Sequence, residues 1–173
     1  QAVAYDTQHP DAYYQLALSY EFPSRDYNRA MSIFYKQLSV NPGHRDALSH
    51  LGKCSFLTKQ YRVGVDLLEQ LMDTHGDALP TYSKTLLAQL KASLLQEERE
   101  YDKAAEMYDE FIEGLDPAER IYYSDLKYVA NDREMTVYEQ ASESEKQDIV
   151  QKFWGSRDPD PATVVNERLV EHY

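Results

Sequence analysis

The chain has 173 residues, 42% of them hydrophobic and 28% charged, which marks a folded protein with room for a core and excludes a disordered tail. Thirty acidic residues against eighteen basic ones give a net charge of −12. That field opposes nucleic acid or an anionic membrane surface as the main partner and suits a basic one. No apolar run approaches the ~18 residues of a membrane span, and Cys54, the single cysteine, excludes an intrachain disulfide.

The first predicted element is "DAYYQLALSYEF", where Tyr13, Leu16, Ala17 and Tyr20 recur at the three- and four-residue steps of one helix face. A second helix follows in "DYNRAMSIFYKQLSVNPG", from Asp26 to a stop at Asn41-Pro42-Gly43. The same pair then returns. "DALSHLGKCSFL" repeats the first helix with Leu48, Leu51, Gly52 and Ser55, and "QYRVGVDLLEQLMDTHGD" repeats the second. Tyr27 meets Tyr61, Ala30 meets Gly64, Phe34 meets Leu68 and Leu38 meets Met72, each 34 residues on. A third copy, "EYDKAAEMYDEFIEGLDP", aligns at an offset of 40, bringing Tyr61 to Tyr101, Gly64 to Ala104 and Leu68 to Tyr108. Its first helix is longer, from Thr81 to about Glu98. One extra turn residue sits near Pro23 in the first unit.

These units resemble the tetratricopeptide repeat, whose pattern runs bulky-x2-Leu-Gly/Ala-x2-Tyr and then Tyr-x2-Ala-x3-Phe with a closing proline. The resemblance covers residues 8–117 as three helix pairs, about 8–43, 44–78 and 79–117. It implies an all-α fold, a right-handed helical-hairpin solenoid in which each pair buries its apolar stripe against the next. The small residues Ala30, Gly64 and Ala104 are expected where backbones nearly touch. Six of the fifteen tyrosines fall at packing positions (Tyr13, Tyr20, Tyr27, Tyr61, Tyr101, Tyr108), while Tyr14 and Tyr35 fall off the core stripe and are expected at the surface.

Residues 118–141 are expected to form a capping helix and a connector. Asp116-Pro117-Ala118-Glu119 reads as an N-cap, a first-turn proline and a capping box. The helix it opens, "AERIYYSDLKYVA", carries Ile121, Leu126 and Val129, and "NDREMTVYEQ" reads as a short helix or turn. Residues 142–173 are expected to form a helix, an Asp-Pro elbow and a last helix as an extension of the fold. Ser142 and Glu145 supply another capping box. Ile149, Val150, Phe153 and Trp154 share one helix side, and Trp154 is expected to wedge the elbow against that helix. The prolines keep Asp158 and Asp160 extended. Arg157 is expected to pin the turn on those aspartates, and Thr163 to cap the last helix with Asn166 and Glu167 in its first turn.

This ending resembles the start of the bacterial GWxTD domain through Phe153, Trp154, Arg157, Asp158, Pro159, Pro161, Thr163, Asn166 and Glu167, over about the last thirty residues. The signature that names the family is absent. The resemblance implies the front part of a larger, exported protein that follows helical repeats.

No catalytic constellation emerges. His9, His44, His50, His75 and His172 have no spacing that joins them to a carboxylate or to Cys54, and Cys54 reads as an inert packing thiol. Asp158, Asp160 and Glu167 lack the glycine and the twelfth-position acid of a calcium loop. No metal site, cofactor or enzymatic activity is expected. Binding remains. The first helix of each pair lines the inner surface of such a stack, which places Tyr14, Leu18 and Glu21, then Ser49, Lys53 and Phe56, then Gln89 and Ser93 in one concave groove, with Asp11, Asp46 and Gln96 beside them. Tyr14, Leu18, His50, Leu86 and Leu90 stand where a carboxylate clamp needs Lys and Asn. The groove therefore suits a helix or extended peptide of another protein, or the chain's own C-terminal segment. The expected role is a protein–protein interaction scaffold or accessory subunit of a larger, extracytoplasmic (periplasmic) or membrane-associated complex. The alternative is the N-terminal portion of a cell-envelope or carbohydrate-processing protein whose active part lies beyond Tyr173.

Overall fold

The computed structural model describes residues 10–173; His9 and the expected start of the first repeat at residue 8 lie outside the described residues. Among these residues every regular element is helical, and no helix is long and apolar enough to cross a membrane. The chain divides into two compact units, one ending at Leu94 and the other running from Leu95 to Tyr173.

The first unit holds α1 (Ala12–Glu21), α2 (Tyr27–Val40), α3 (Arg45–Thr58), α4 (Tyr61–His75), a 3-10 turn (Gly76–Ala78) and α5 (Ser83–Glu97) as far as Leu94. Consecutive helices pack as adjacent pairs, α1 on α2, α2 on α3 and α3 on α4. Phe34, Leu38, Leu48, Leu51, Leu68, Leu71 and Leu90 are fully buried between them. Each such side chain contributes roughly 1.5–3 kcal/mol relative to exposure. Tyr13, Tyr20, Tyr27 and Tyr61 pack half-buried against this core. Tyr14 and Tyr35 do the same, contrary to the surface expectation, because Tyr14 lies against Phe34 with ring centroids 5.9 Å apart.

The helices approach as closely as the small residues allow. Ala30 is fully buried. A Cβ built on Gly64 would lie 2.5 Å from Ser55 Oγ and 2.9 Å from Ser55 Cβ, and one on Gly52 would lie 2.7 Å from Leu86 Cδ1. Polar links between neighbouring pairs sit about one repeat apart in sequence. Tyr35 donates to Gln70 at 2.9 Å, Gln60 to Asn28 at 2.8 Å and Lys53 to Glu21 at 2.7 Å.

A turn recurs that the alignment did not show. Arg25, Lys59 and Arg99 all adopt the left-handed conformation, at φ 52°, 54° and 62°, each two residues before the tyrosine that opens α2, α4 and α6 (Tyr101–Glu113). After Lys59 the Gln60 N–H closes on the Ser55 carbonyl at 3.0 Å, and after Arg99 the Glu100 N–H closes on Leu95 at 2.9 Å. In the first copy Asp26 N–H reaches back to Tyr20 at 2.9 Å, one residue further, which is the extra turn residue expected there. The Phe22–Pro23 bond in that turn is cis.

The second unit contains α6, α7 (Pro117–Ser124), a 3-10 turn (Leu126–Tyr128), α8 (Asp132–Gln140), α9 (Glu143–Gly155) and α10 (Glu167–His172). Ala104, Tyr108, Phe111, Leu126, Phe153 and Val170 are its buried centre. The helix expected from Ala118 to Ala130 stops at Ser124. Asp125 turns extended there, and its carboxylate accepts from Lys127 N–H at 2.9 Å to open the 3-10 turn. Leu126 thereby enters the core, whereas Ile121 is 49% exposed and Tyr123 faces Phe111 instead. Asp116 makes no side-chain capping bond, so the expected box is not formed; Pro117 occupies the first turn. The short segment after it is a helix, because Asn131 accepts from Glu134 N–H at 3.1 Å while Glu134 accepts from Asn131 N–H at 3.0 Å. Glu145 likewise accepts from Ser142 N–H at 2.8 Å, as expected for that box.

Candidate functional site

The helices expected to line the inner face of the first unit are α1, α3 and α5. Glu21, expected in the groove, is fully buried instead. Its carboxylate receives Lys53 Nζ at 2.7 Å and lies 2.5 Å from His50 Nδ1, so it anchors the face and does not present itself on it. The hydrogen bond to that carboxylate raises the Lys53 pKa. The Lys53 amine also sits 5.0 Å over the Phe22 ring, and its side chain stays 45% exposed. His50 stacks on Phe34 at 5.1 Å, and its ring edge meets Tyr14 at 5.8 Å.

Tyr14 is half-buried beside His44 at 4.6 Å. Desolvation, then Asp46, Glu21 and Asp11, pushes its hydroxyl pKa up, so the group stays a neutral donor. Leu18 is half-buried against the core. Ser49 is exposed, with Oγ 3.0 Å from Tyr82 Oη, and the Tyr82 hydroxyl also donates to the Arg45 carbonyl. Phe56 is half-buried with its ring edge-on to Tyr61 at 5.6 Å. Gln89 is half-buried, and Ser93 is buried with its hydroxyl donating to the Gln89 carbonyl at 3.0 Å. The structure thus brings Glu21 to Lys53 and leaves Tyr14, Leu18, Ser49, Lys53, Phe56 and Gln89 as the accessible part of the predicted set.

The C-terminal motif forms a clasp within the second unit. Arg157 does not hold Asp158 or Asp160. Its Nη2 donates to Glu134 at 2.6 Å, Nη1 donates to the Phe153 carbonyl at 3.1 Å, and the guanidinium lies 3.6 Å over the Phe153 ring. The Asn131 N–H, with Arg157 second, lowers the Glu134 pKa below the usual carboxylate value. The two aspartates serve the local backbone. Asp158 accepts from Asp160 N–H and Asp160 from Ala162 N–H, both at 3.1 Å, while Pro159 and Pro161 stand exposed between and after them.

Asn166, not Thr163, caps the last helix: it accepts from Leu169 N–H at 3.1 Å and donates to the Trp154 carbonyl at 2.6 Å. Thr163 Oγ1 lies 2.9 Å from Glu167 Oε1. Trp154 meets Phe153 edge-on at 5.1 Å and His172 at 5.0 Å, so it packs on the last helix as well as on its own. Tyr173 continues the aromatic run to Tyr108 at 5.3 Å and Tyr123 at 6.3 Å. The chain's ending is therefore packed on α6, within the second unit, and is not an appendage hanging from it.

Cys54 is buried, and burial pushes its pKa up to about 12, the opposite of an activated thiolate. Among the described residues, no group of three or more His, Cys, Asp or Glu side chains is placed to hold a metal ion. Comparison with family models, curated proteins and solved structures returns no match.

Proposed function

We propose that this chain is a protein-binding module, a scaffold or accessory subunit, whose partner docks on the inner face of α1, α3 and α5. The observation behind this reading is the link of α1 to α3 through Glu21–Lys53 and of α3 to the turn before α5 through Ser49–Tyr82. It leaves Tyr14, Leu18 and Phe56 half-exposed beside the exposed Ser49 and Lys53. Aromatic side chains held rigidly around a satisfied cation make anchors at low entropic cost. We read the hairpins as tetratricopeptide-like, on the 34-residue spacing of Tyr27 and Tyr61, the close approach at Gly64 and the recurring left-handed turn. We read the elbow as the start of a GWxTD-like segment, on the residues Phe153 to Glu167 that resemble it. A place outside the cytoplasm, in a larger bacterial complex, rests on that second resemblance.

A photo-crosslinking residue in place of Ser49, with one in place of the exposed Lys36 of α2 as control, tests the face. Adducts with a partner should form from position 49 and not from 36. Ser49→Arg with Gln89→Arg, both outside the Glu21–Lys53 anchor, should lower partner recovery at least about tenfold while leaving helicity intact. Equal adducts from both positions, or unchanged recovery, would refute the inner face as the docking site.

A further inference from the structure

The net charge is confined to one half of the chain. Residues 1–94 carry nine acidic and nine basic side chains, whereas residues 95–173 carry twenty-one acidic and nine basic ones, the whole net charge of −12. Within this second unit, side chains of α7, α8, α9, the elbow and α10 enclose a groove of about 800 Å³. Its apolar wall is Tyr138, Val150, Trp154, Val164 and Leu169. Val164 is 97% exposed, so its isopropyl group contributes nothing to the core of this fold. Its charged lining is Glu143, Asp158 and Lys146. Lys146 is paired with Glu143 at 2.8 Å and sits 5.5 Å over the Tyr138 ring, which leaves Asp158 to set the sign of the rim.

We propose that this groove takes the apolar face of a cationic amphipathic segment of another protein. The apolar wall supplies the hydrophobic contact, and the −12 field supplies attraction and orientation. That field repels a second copy of the chain, nucleic acid and anionic lipid alike. The site uses none of the residues of the inner face of α1, α3 and α5 and does not depend on the function proposed for them.

Trp154 is the only tryptophan in the chain and lines the groove, so its emission reports occupancy directly. The probe is a helix of about fourteen residues made of leucine at i, i+3, i+4 and i+7 positions and lysine elsewhere. Its leucine–glutamate counterpart is the control, and both are titrated into the full chain near physiological salt. The lysine peptide should saturate a blue shift of Trp154, and the glutamate peptide should give none. Val164→Ser and Gln147→Arg, both at exposed positions in the lining, should each weaken the lysine peptide about tenfold or more. Glu106→Gln, which changes the net charge by the same amount as Gln147→Arg from an exposed site on α6, should weaken it less than about twofold. The proposal is overturned if Glu106→Gln and Gln147→Arg act equally, if binding leaves Trp154 emission unchanged, or if the glutamate peptide binds as well. Self-association of the free chain that Val164→Ser abolishes would place a second copy in the groove and overturn it too.

Discussion

Asn166 joins the two ends of the elbow through one side chain, donating from Nδ2 to the Trp154 carbonyl at 2.6 Å while its Oδ1 accepts from Leu169 N–H at 3.1 Å. The Trp154 carbonyl also accepts from Arg157 N–H at 2.9 Å, and Leu169 N–H also reaches the Asn166 carbonyl at 3.1 Å, so this residue adds a side-chain tie between the end of α9 and the start of α10. Asn166→Asp keeps the acceptor and loses the donor; Asn166→Ala loses both. The expected order of stability is wild type, then Asp, then Ala, with Ala lower by about 1–2 kcal/mol. Urea unfolding followed by Trp154 emission measures it, and an Asp variant as stable as wild type would show that the bond to Trp154 contributes nothing.

The left-handed turns make a prediction of opposite sign. A non-glycine residue in that region costs roughly 1 kcal/mol or more. Lys59→Gly and Arg99→Gly should therefore raise stability by about 0.5–1 kcal/mol, whereas Lys36→Gly, inside α2, should lower it by about 1 kcal/mol. Thermal unfolding of the three variants checks the signs.

Glu21 and Lys53 should respond unequally to substitution. Removing the amine by Lys53→Met leaves a fully buried carboxylate with His50 alone. The loss should be about 1–3 kcal/mol, below the range for a fully buried pair because Lys53 is partly exposed. Glu21→Gln retains an acceptor for the lysine and should cost less, about 1 kcal/mol. Equal costs would mean that the anchor is not electrostatic.

Burial lowers the pKa of His172, which packs on Trp154. A histidine whose folded pKa lies below its unfolded value binds its proton more readily when unfolded. Its stabilising contribution is full above about pH 6.5, the unfolded imidazole value, and is lost as pH falls through the lower folded one. Unfolding of the second unit, read through Trp154 emission, should become easier between about pH 7 and pH 5. His172→Gln should flatten that part of the profile, and an unaltered profile would remove His172 as its cause.

The pattern of small and bulky residues was legible because it is local and repeated: Tyr27, Tyr61 and Tyr101 each begin a helix, and Ala30, Gly64 and Ala104 are all buried. Asn131 and Glu134 were equally readable as a capping box but lay in a polar stretch with little hydrophobic period to draw attention. Arg25, Lys59 and Arg99 carry a weak signal, a basic residue two before the tyrosine, which chemistry alone does not connect to a left-handed backbone. The elbow was harder. Thr163 and Asn166 are both plausible caps, and only the tertiary bond to the Trp154 carbonyl selects Asn166. Arg157 found Glu134, 23 residues away, in place of its neighbours, because Asp158 and Asp160 were already engaged with backbone amides. Glu21 fitted the repeat position for a groove residue, and its burial came from contacts 29 and 32 residues distant.

The stacked hairpins stand or fall on how closely α3 and α4 approach at Gly64. Glycine to alanine inside a helix ordinarily stabilises by about 0.5–1 kcal/mol. Gly155, with nothing within 4 Å of an added Cβ, should behave that way, whereas Gly64 should not, because Ser55 Oγ and Cβ stand at 2.5 and 2.9 Å. Differential thermal unfolding of Gly64→Ala beside Gly155→Ala is the decisive comparison: the former should melt lower than wild type and recover in part when combined with Ser55→Gly. A Gly64→Ala protein that melts as high as Gly155→Ala would contradict the packing described for these helices.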